Sequence, residues 1–202
     1  TQWQFGLKIA SDMGYDLEAG RLDKSAHPFT ITFANNDVRI TTWENESDIR
    51  PSLFAIIHES GHALYEQGVD PKLDRLQIGE GGGLGGGIGM AMHESQSRLW
   101  ENIIGRSDWF WKTYFPQAKQ AFQALQAISK QAFVKAINVV RPSLVRVEAD
   151  EVTYGLHIMI RYEIEKDLIA GKIKVKDLPK IWNAKYKEYL GVTPKNDAEG
   201  VL

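Results

Sequence analysis

The strongest chemical signal in the chain is five consecutive residues, His58-Glu59-Ser60-Gly61-His62, an HExxH pattern. On an α-helix the four-residue step between the histidines puts both imidazoles on one face, one turn apart, where they can grip a single divalent ion. Glu59 then stands beside that ion. There a carboxylate can take a proton from a water whose pKa the metal has lowered, and later deliver it to a departing amine. Residue types and spacing together point to metal-assisted hydrolysis of an amide.

A catalytic zinc keeps three protein ligands and one open position, so a third donor has to come from elsewhere in the chain. There is no cysteine, which removes disulfides, Cys-ligated zinc and thiol catalysis and leaves His, Asp and Glu as the candidate ligands. Glu94, in Met92-His93-Glu94-Ser95-Gln96-Ser97-Arg98, is the preferred third ligand, because antiparallel packing of the helix it opens would bring its carboxylate against the motif helix. Glu101 and His93 compete with it. His93 points to a different side of that helix, and its ordinary reading is a histidine hydrogen-bonded behind the ligands or at the cleft.

The motif needs a helix, and one is expected over 47–68: Ser47 or Asp48 can cap it, Pro51 sits in its first turn, and Leu53, Ile56, Ile57 and Leu64 share one broad face. Alternating apolar residues over 28–43, broken by Asn35-Asn36, predict a β-hairpin. An edge strand there could hold an extended substrate beside the metal. A helix is expected over 2–19, with Gly20 as its stop. The eight glycines between 79 and 89 are too costly in backbone entropy for a regular element and predict a mobile loop. Further helices are expected over 90–104, 116–137, 147–169 and 175–190. The chain 1–202 reads as one mainly α catalytic-core domain with a small antiparallel β-hairpin or sheet beside the HExxH helix.

Composition excludes other classes. A net charge of −2, from 26 acidic and 24 basic residues, gives no general attraction to nucleic acid or to an anionic membrane. No apolar run approaches the length of a membrane span, and the lack of cysteine fits a cytoplasmic location. Gly81 to Gly86 formally fit a dinucleotide fingerprint, but no hydrophobic strand precedes them. Ile158, Met159, Ile160, Tyr154 and Tyr162, at helical spacing, read as core, His157 as a satisfied interior histidine and the six Trp as packing residues. The ends, Thr1-Gln2-Trp3 and Gly200-Val201-Leu202, are those expected of a piece of a longer protein.

Ala26-His27-Pro28-Phe29, Asp37-Val38-Arg39-Ile40-Thr41, His58 to Gln67, His93 to Asn102 and Val145-Arg146-Val147-Glu148-Ala149-Asp150, in that order, resemble the thermostable metallocarboxypeptidase family typified by carboxypeptidase Taq. The resemblance covers nearly the whole chain, minus N- and C-terminal parts that family members carry. It implies a helical, zincin-like metallopeptidase fold with a deep groove, using one divalent metal, zinc or cobalt, to remove single residues from the C-termini of peptides. Carried over by position, His58, His62 and Glu94 would be the metal ligands and Glu59 the general base. Arg146 would match the motif that recognises the peptide's terminal carboxylate, and His27, Asp37, Arg39 and Thr41 the motifs that shape the cleft. The resemblance is compatible with a homodimer.

Chemistry supports the arginine separately, since a guanidinium fork binds a carboxylate bidentately; its bland reading is a salt bridge to Glu148 or Asp150. Two alternatives to a carboxypeptidase stay open at this point. One is an HExxH endopeptidase, which would cut an N-blocked peptide internally; the other is an inactive fragment that only binds metal or a partner.

Overall fold

The computed structural model describes residues 1–73 and 89–201, which form two compact units, Thr1–Ile137 and Asn138–Leu202. Nearly all of the glycine-rich run expected as a loop, up to residue 88, lies outside the described residues.

In the first unit, helix α1 (Gln2–Met13) stops at Gly14, whose φ of 106° is the left-handed geometry that glycine adopts without a Cβ penalty. The helix is therefore shorter than expected, and Gly20 opens a strand instead. That strand, β1 (Gly20–Lys24), is followed by β2 (Thr30–Ala34) and β3 (Asp37–Thr42), in the order β1-β3-β2. The predicted hairpin is the β2–β3 pair, with Thr30 opposite Ile40 and Ile31 opposite Arg39. Because β1 runs parallel to β3, with Leu22 opposite Ile40, the sheet is mixed rather than antiparallel. Its floor is glycine-dependent: a Cβ on Gly20 would lie 2.1 Å from the Val38 carbonyl.

Helix α2 (Ile49–Gln67) starts at Asp48, whose side chain accepts the Arg50 N–H. It is buried on several sides at once. Leu53, Phe54 and Ile57 join Phe5 and Ile9 of α1 in one core, completed by Phe110, Trp111 and Phe115 of α4 (Asp108–Ala121) and Phe133 and Ile137 of α5 (Lys130–Ile137). Ile56 and Ala63 pack on Leu22, Val38 and Ile40 of the sheet in a second core. The stripe His58, His62, Glu66, four residues apart, is what these two apolar faces leave over.

Helix α3 (Met90–Arg98) runs directly into a π-helical turn, Leu99–Ile104, closed by Gly105 N–H donating to Trp100 O at 2.7 Å. Beyond it, α4 begins earlier than its periodicity suggested, with Ser107 as cap and Pro116 inside, and a break separates it from α5. Trp111 is fully buried, whereas Trp109 is 72% exposed and is no packing residue.

The second unit holds α6 (Glu151–Ile169) and α7 (Leu178–Leu190), packed through Ile160, Ile164, Tyr186 and Leu190. Asp150 caps α6, accepting from Val152 N–H at 3.0 Å and Thr153 N–H at 2.9 Å. The cap moves the helix start several residues past 147, which lies in a short 3-10 turn (Arg146–Glu148). Contrary to the core reading, Ile158, Met159 and Tyr162 are exposed. His157 is buried; its Nδ1 meets the Tyr186 hydroxyl at 3.1 Å, and its Nε2 has no protein partner among the described residues. No helix among the described residues is long and apolar enough to cross a membrane.

Candidate metal centre

The stripe on α2 meets α3 at close range because position 61 has no side chain: a Cβ there would lie 2.7 Å from Ser97 Cα and 3.0 Å from Gln96 O. This contact aims Glu94 at the histidines. Its Oε2 lies 3.2 Å from His62 Nε2 and 3.6 Å from His58 Nε2, and the three donor atoms all fall within 4.8 Å of one another. Donors held at about 2.0–2.1 Å around a tetrahedral zinc are separated by about 3.3 Å. Two imidazole nitrogens and one carboxylate oxygen at these spacings therefore suit such an ion, and the set matches that of catalytic rather than closed structural zinc sites.

The competitors for the third position are both engaged behind His58 and His62. Glu101 Oε2 accepts from His58 Nδ1 at 2.8 Å, and His93 Nδ1 lies 2.6 Å from His62 Nδ1. Each imidazole thus has its far nitrogen held and its Nε2 turned toward Glu94. Arg98 ties the two carboxylates together, donating from Nε to Glu94 Oε1 at 2.8 Å and from Nη1 to Glu101 Oε2 at 3.0 Å. The π turn carries Glu101 into this network.

The electrostatics follow the packing. Burial pushes the Glu94 carboxyl up, but the hydrogen bond with His62, the charge of His58 and the Arg98 guanidinium outweigh it and hold its pKa at about 2. Burial pushes His58 down, yet the Glu101 carboxylate, with Glu59 and Glu94 beyond it, lifts it above its ordinary value. Burial likewise raises Glu101, and His58, Arg98 and Arg106 bring it below the usual carboxylate range.

Glu59, one residue on from His58, turns to the sheet. Thr30 Oγ1 of β2 donates to its Oε2 at 2.6 Å, and Oε1 has no protein partner among the described residues. Thr30, Glu66 and Arg98 went unnoticed as site residues in the sequence. Glu66 had one available signal, a spacing of four from His62 that continues the stripe, while Thr30 has none outside the folded chain.

The remaining candidates have partners of their own. Asp37 and Arg39 on β3 form a two-pronged ion pair with each other, at 2.7 and 2.8 Å. Thr41 Oγ1 accepts from Phe29 N–H at 2.9 Å and lies 2.7 Å from Ser25 Oγ, so it anchors both ends of the segment that carries the exposed His27. Arg146 belongs to the second unit, where it makes no ion pair with Glu148 or Asp150; its Nη1 donates to the Tyr154 hydroxyl at 2.9 Å.

A mainly helical unit with a small sheet beside an HExxH helix, its two histidines facing a glutamate from a following helix, defines a zincin-like metallopeptidase fold. The chain belongs to the carboxypeptidase Taq (M32) metallopeptidase family, whose profile matches residues 1–202. It is 48% identical over 202 residues to Carboxypeptidase 1 of Bacillus subtilis, covering all of this chain and 39% of that protein. Thermostable carboxypeptidase 1 of Thermus thermophilus is 49% identical over 202 residues, again all of this chain and 38% of that protein. The crystal structure of the M32 carboxypeptidase from Deinococcus radiodurans R1 superposes with a TM-score of 0.92 at 42% identity, over 98% of this chain and 39% of that one. The chain thus spans about two fifths of the length of these relatives.

Proposed function

We propose that this chain supplies the metal-binding and proton-transferring part of a carboxypeptidase site that releases residues from the C-termini of peptides. The observation that carries this reading is the convergence of His58 Nε2, His62 Nε2 and Glu94 Oε2 at zinc-ligand spacing. Zinc, or another divalent metal such as cobalt, would be held by those three residues and would supply Lewis acidity to the scissile carbonyl and a lowered pKa to the attacking water. Glu59 takes the proton from that water at Oε1 and passes it to the leaving amine, while Thr30 fixes Oε2 at 2.6 Å and so orients the carboxylate. Arg98 holds Glu94 and Glu101 in place. Arg146 pairs with the substrate's terminal carboxylate, and His27, Asp37, Arg39 and Thr41 shape the cleft. Residues 1–202 then act as one catalytic core, in the cytoplasm.

The test is a peptide-trimming assay with an N-blocked peptide and added zinc. Residue-by-residue loss from the C-terminus is expected, whereas internal cuts would make the chain an endopeptidase. Glu59→Gln should abolish trimming while leaving zinc content intact. Arg146→Ala should raise KM for free-carboxylate peptides far more than for amidated ones. A second reading is a chain that binds metal without turnover; bound zinc with no trimming would establish it.

A further inference from the structure

His62 is backed differently from His58. Behind His58 stands a carboxylate, Glu101; behind His62 stands a second imidazole, His93, and only behind that a carboxylate, Glu66. His93 is 6% and Glu66 3% exposed, and His93 Nε2 meets Glu66 Oε1 at 2.5 Å. Both nitrogens of His93 are thus occupied, which removes it as a metal ligand. Its ring is also wedged between His62, with centroids 4.7 Å apart, and Tyr65, 4.6 Å away.

The contact between His62 Nδ1 and His93 Nδ1, 2.6 Å long, can hold only one hydrogen. A metal on His62 Nε2 requires the lone pair there, so the His62 hydrogen must sit on Nδ1 and be donated to His93. His93 is then the Nε2–H tautomer, and it donates to Glu66. The reverse direction would set an imidazole lone pair against the Glu66 carboxylate at 2.5 Å, too close for a water to intervene.

We propose that Glu66 and His93 are positioning residues of the metal centre: a one-way hydrogen-bond relay, His62 to His93 to Glu66, that holds the His62 ring with its Nε2 lone pair facing Glu94. This rests on the metal reading above. The chemistry expected of such a backing group is a contribution to metal affinity of about 10- to 100-fold.

The experiment uses the full 202-residue chain. Zinc affinity is measured by chelator competition for the unsubstituted chain and for His62→Ala, His93→Phe, His93→Gln and Glu66→Leu, with the cobalt(II) absorption spectrum recorded for each. His93→Phe and Glu66→Leu should weaken zinc binding about 10- to 100-fold and shift the cobalt bands. His93→Gln retains one acceptor and one donor and should recover most of the affinity. Long-range ¹H–¹⁵N correlation on the zinc-loaded unsubstituted chain should find His62 protonated at Nδ1 and His93 at Nε2, a result independent of whether any variant folds. His93 protonated at Nδ1, or His93→Phe binding zinc as tightly as the unsubstituted chain, overturns the relay while leaving the metal reading intact. Zinc binding that is absent, or indifferent to His62→Ala, overturns the metal reading and the relay with it.

Discussion

Gly61→Ala tests the claim that the spacing of α2 and α3 sets the metal centre. The new methyl would sit 2.7 Å from Ser97 Cα, 3.0 Å from Gln96 O and 3.1 Å from Ser97 N, all backbone atoms that no rotamer change can move. Restoring an ordinary contact of at least 3.4 Å requires α3 to retreat by about 0.7 Å. Glu94 rides on α3, and metal–ligand distances tolerate only about 0.2 Å, so the carboxylate can no longer satisfy the same ion as the two imidazoles. Overpacking costs about 1–3 kcal/mol, against which alanine regains about 1 kcal/mol of helix propensity. The metal-free chain should therefore lose no more than about 2 kcal/mol in urea denaturation, while zinc affinity by chelator competition falls at least about tenfold, or about 1.4 kcal/mol. Zinc binding within twofold of the unsubstituted chain, in a variant that folds normally, would refute the reasoning. Gly155→Ala is the control: its Cβ meets nothing within 4 Å on α6, and zinc affinity should stay unchanged.

Thr30→Val keeps the shape of the side chain but removes the hydrogen bond to Glu59; peptide-trimming kcat should fall about tenfold with zinc content unchanged, and an unaltered rate would take Thr30 out of the mechanism. Asp150→Ala removes the α6 cap and should destabilise the second unit by about 1 kcal/mol, read from local hydrogen exchange. Burial raises Asp150, but hydrogen bonds from Arg141, Thr153 and Val152 bring its pKa below the ordinary value. Its contribution is accordingly present above about pH 4 and lost as pH falls through the depressed folded value. In chelator-treated protein the opposite sign applies to His58, whose folded pKa is raised: its contribution is complete below about pH 6.5 and disappears as pH rises through the folded value. An NMR titration placing His58 at or below its ordinary value would contradict the role given to Glu101.

The HExxH helix was legible because its information is local: a cap, an apolar pattern and a four-residue step all fall within one element. The β2–β3 hairpin was legible for the same reason. β1 was not, since Gly-Arg-Leu-Asp-Lys carries no strand alternation of note and is held by parallel pairing with β3, a contact visible only in the folded chain. Gly20 was mistaken for a helix stop because the sequence offers two glycines, at 14 and 20, and only the left-handed geometry at Gly14 distinguishes them. Glu94 is preferred over Glu101 and His93 from its place at the start of the following helix, but what the other two engage needs the direction of each side chain across the α2–α3 contact. The π turn also escaped, because periodicity arguments assume an unbroken 3.6-residue repeat. Thr30 meets Glu59 through a tertiary contact that no spacing rule encodes, whereas Arg98 stands four residues after Glu94 and three before Glu101, helical spacings that are open to sequence reasoning.

The sheet order has a practical corollary. Among the described residues β2 pairs only with β3, so its other side is an open ladder, and Phe29, Ile31 and Phe33 along it are 46%, 42% and 60% exposed. Such a strand is a template for self-association, which proteins ordinarily blunt with lysine or proline. A preparation of this chain should accordingly stay dispersed longer with Phe33→Lys, a change on the face away from Thr30 and Glu59.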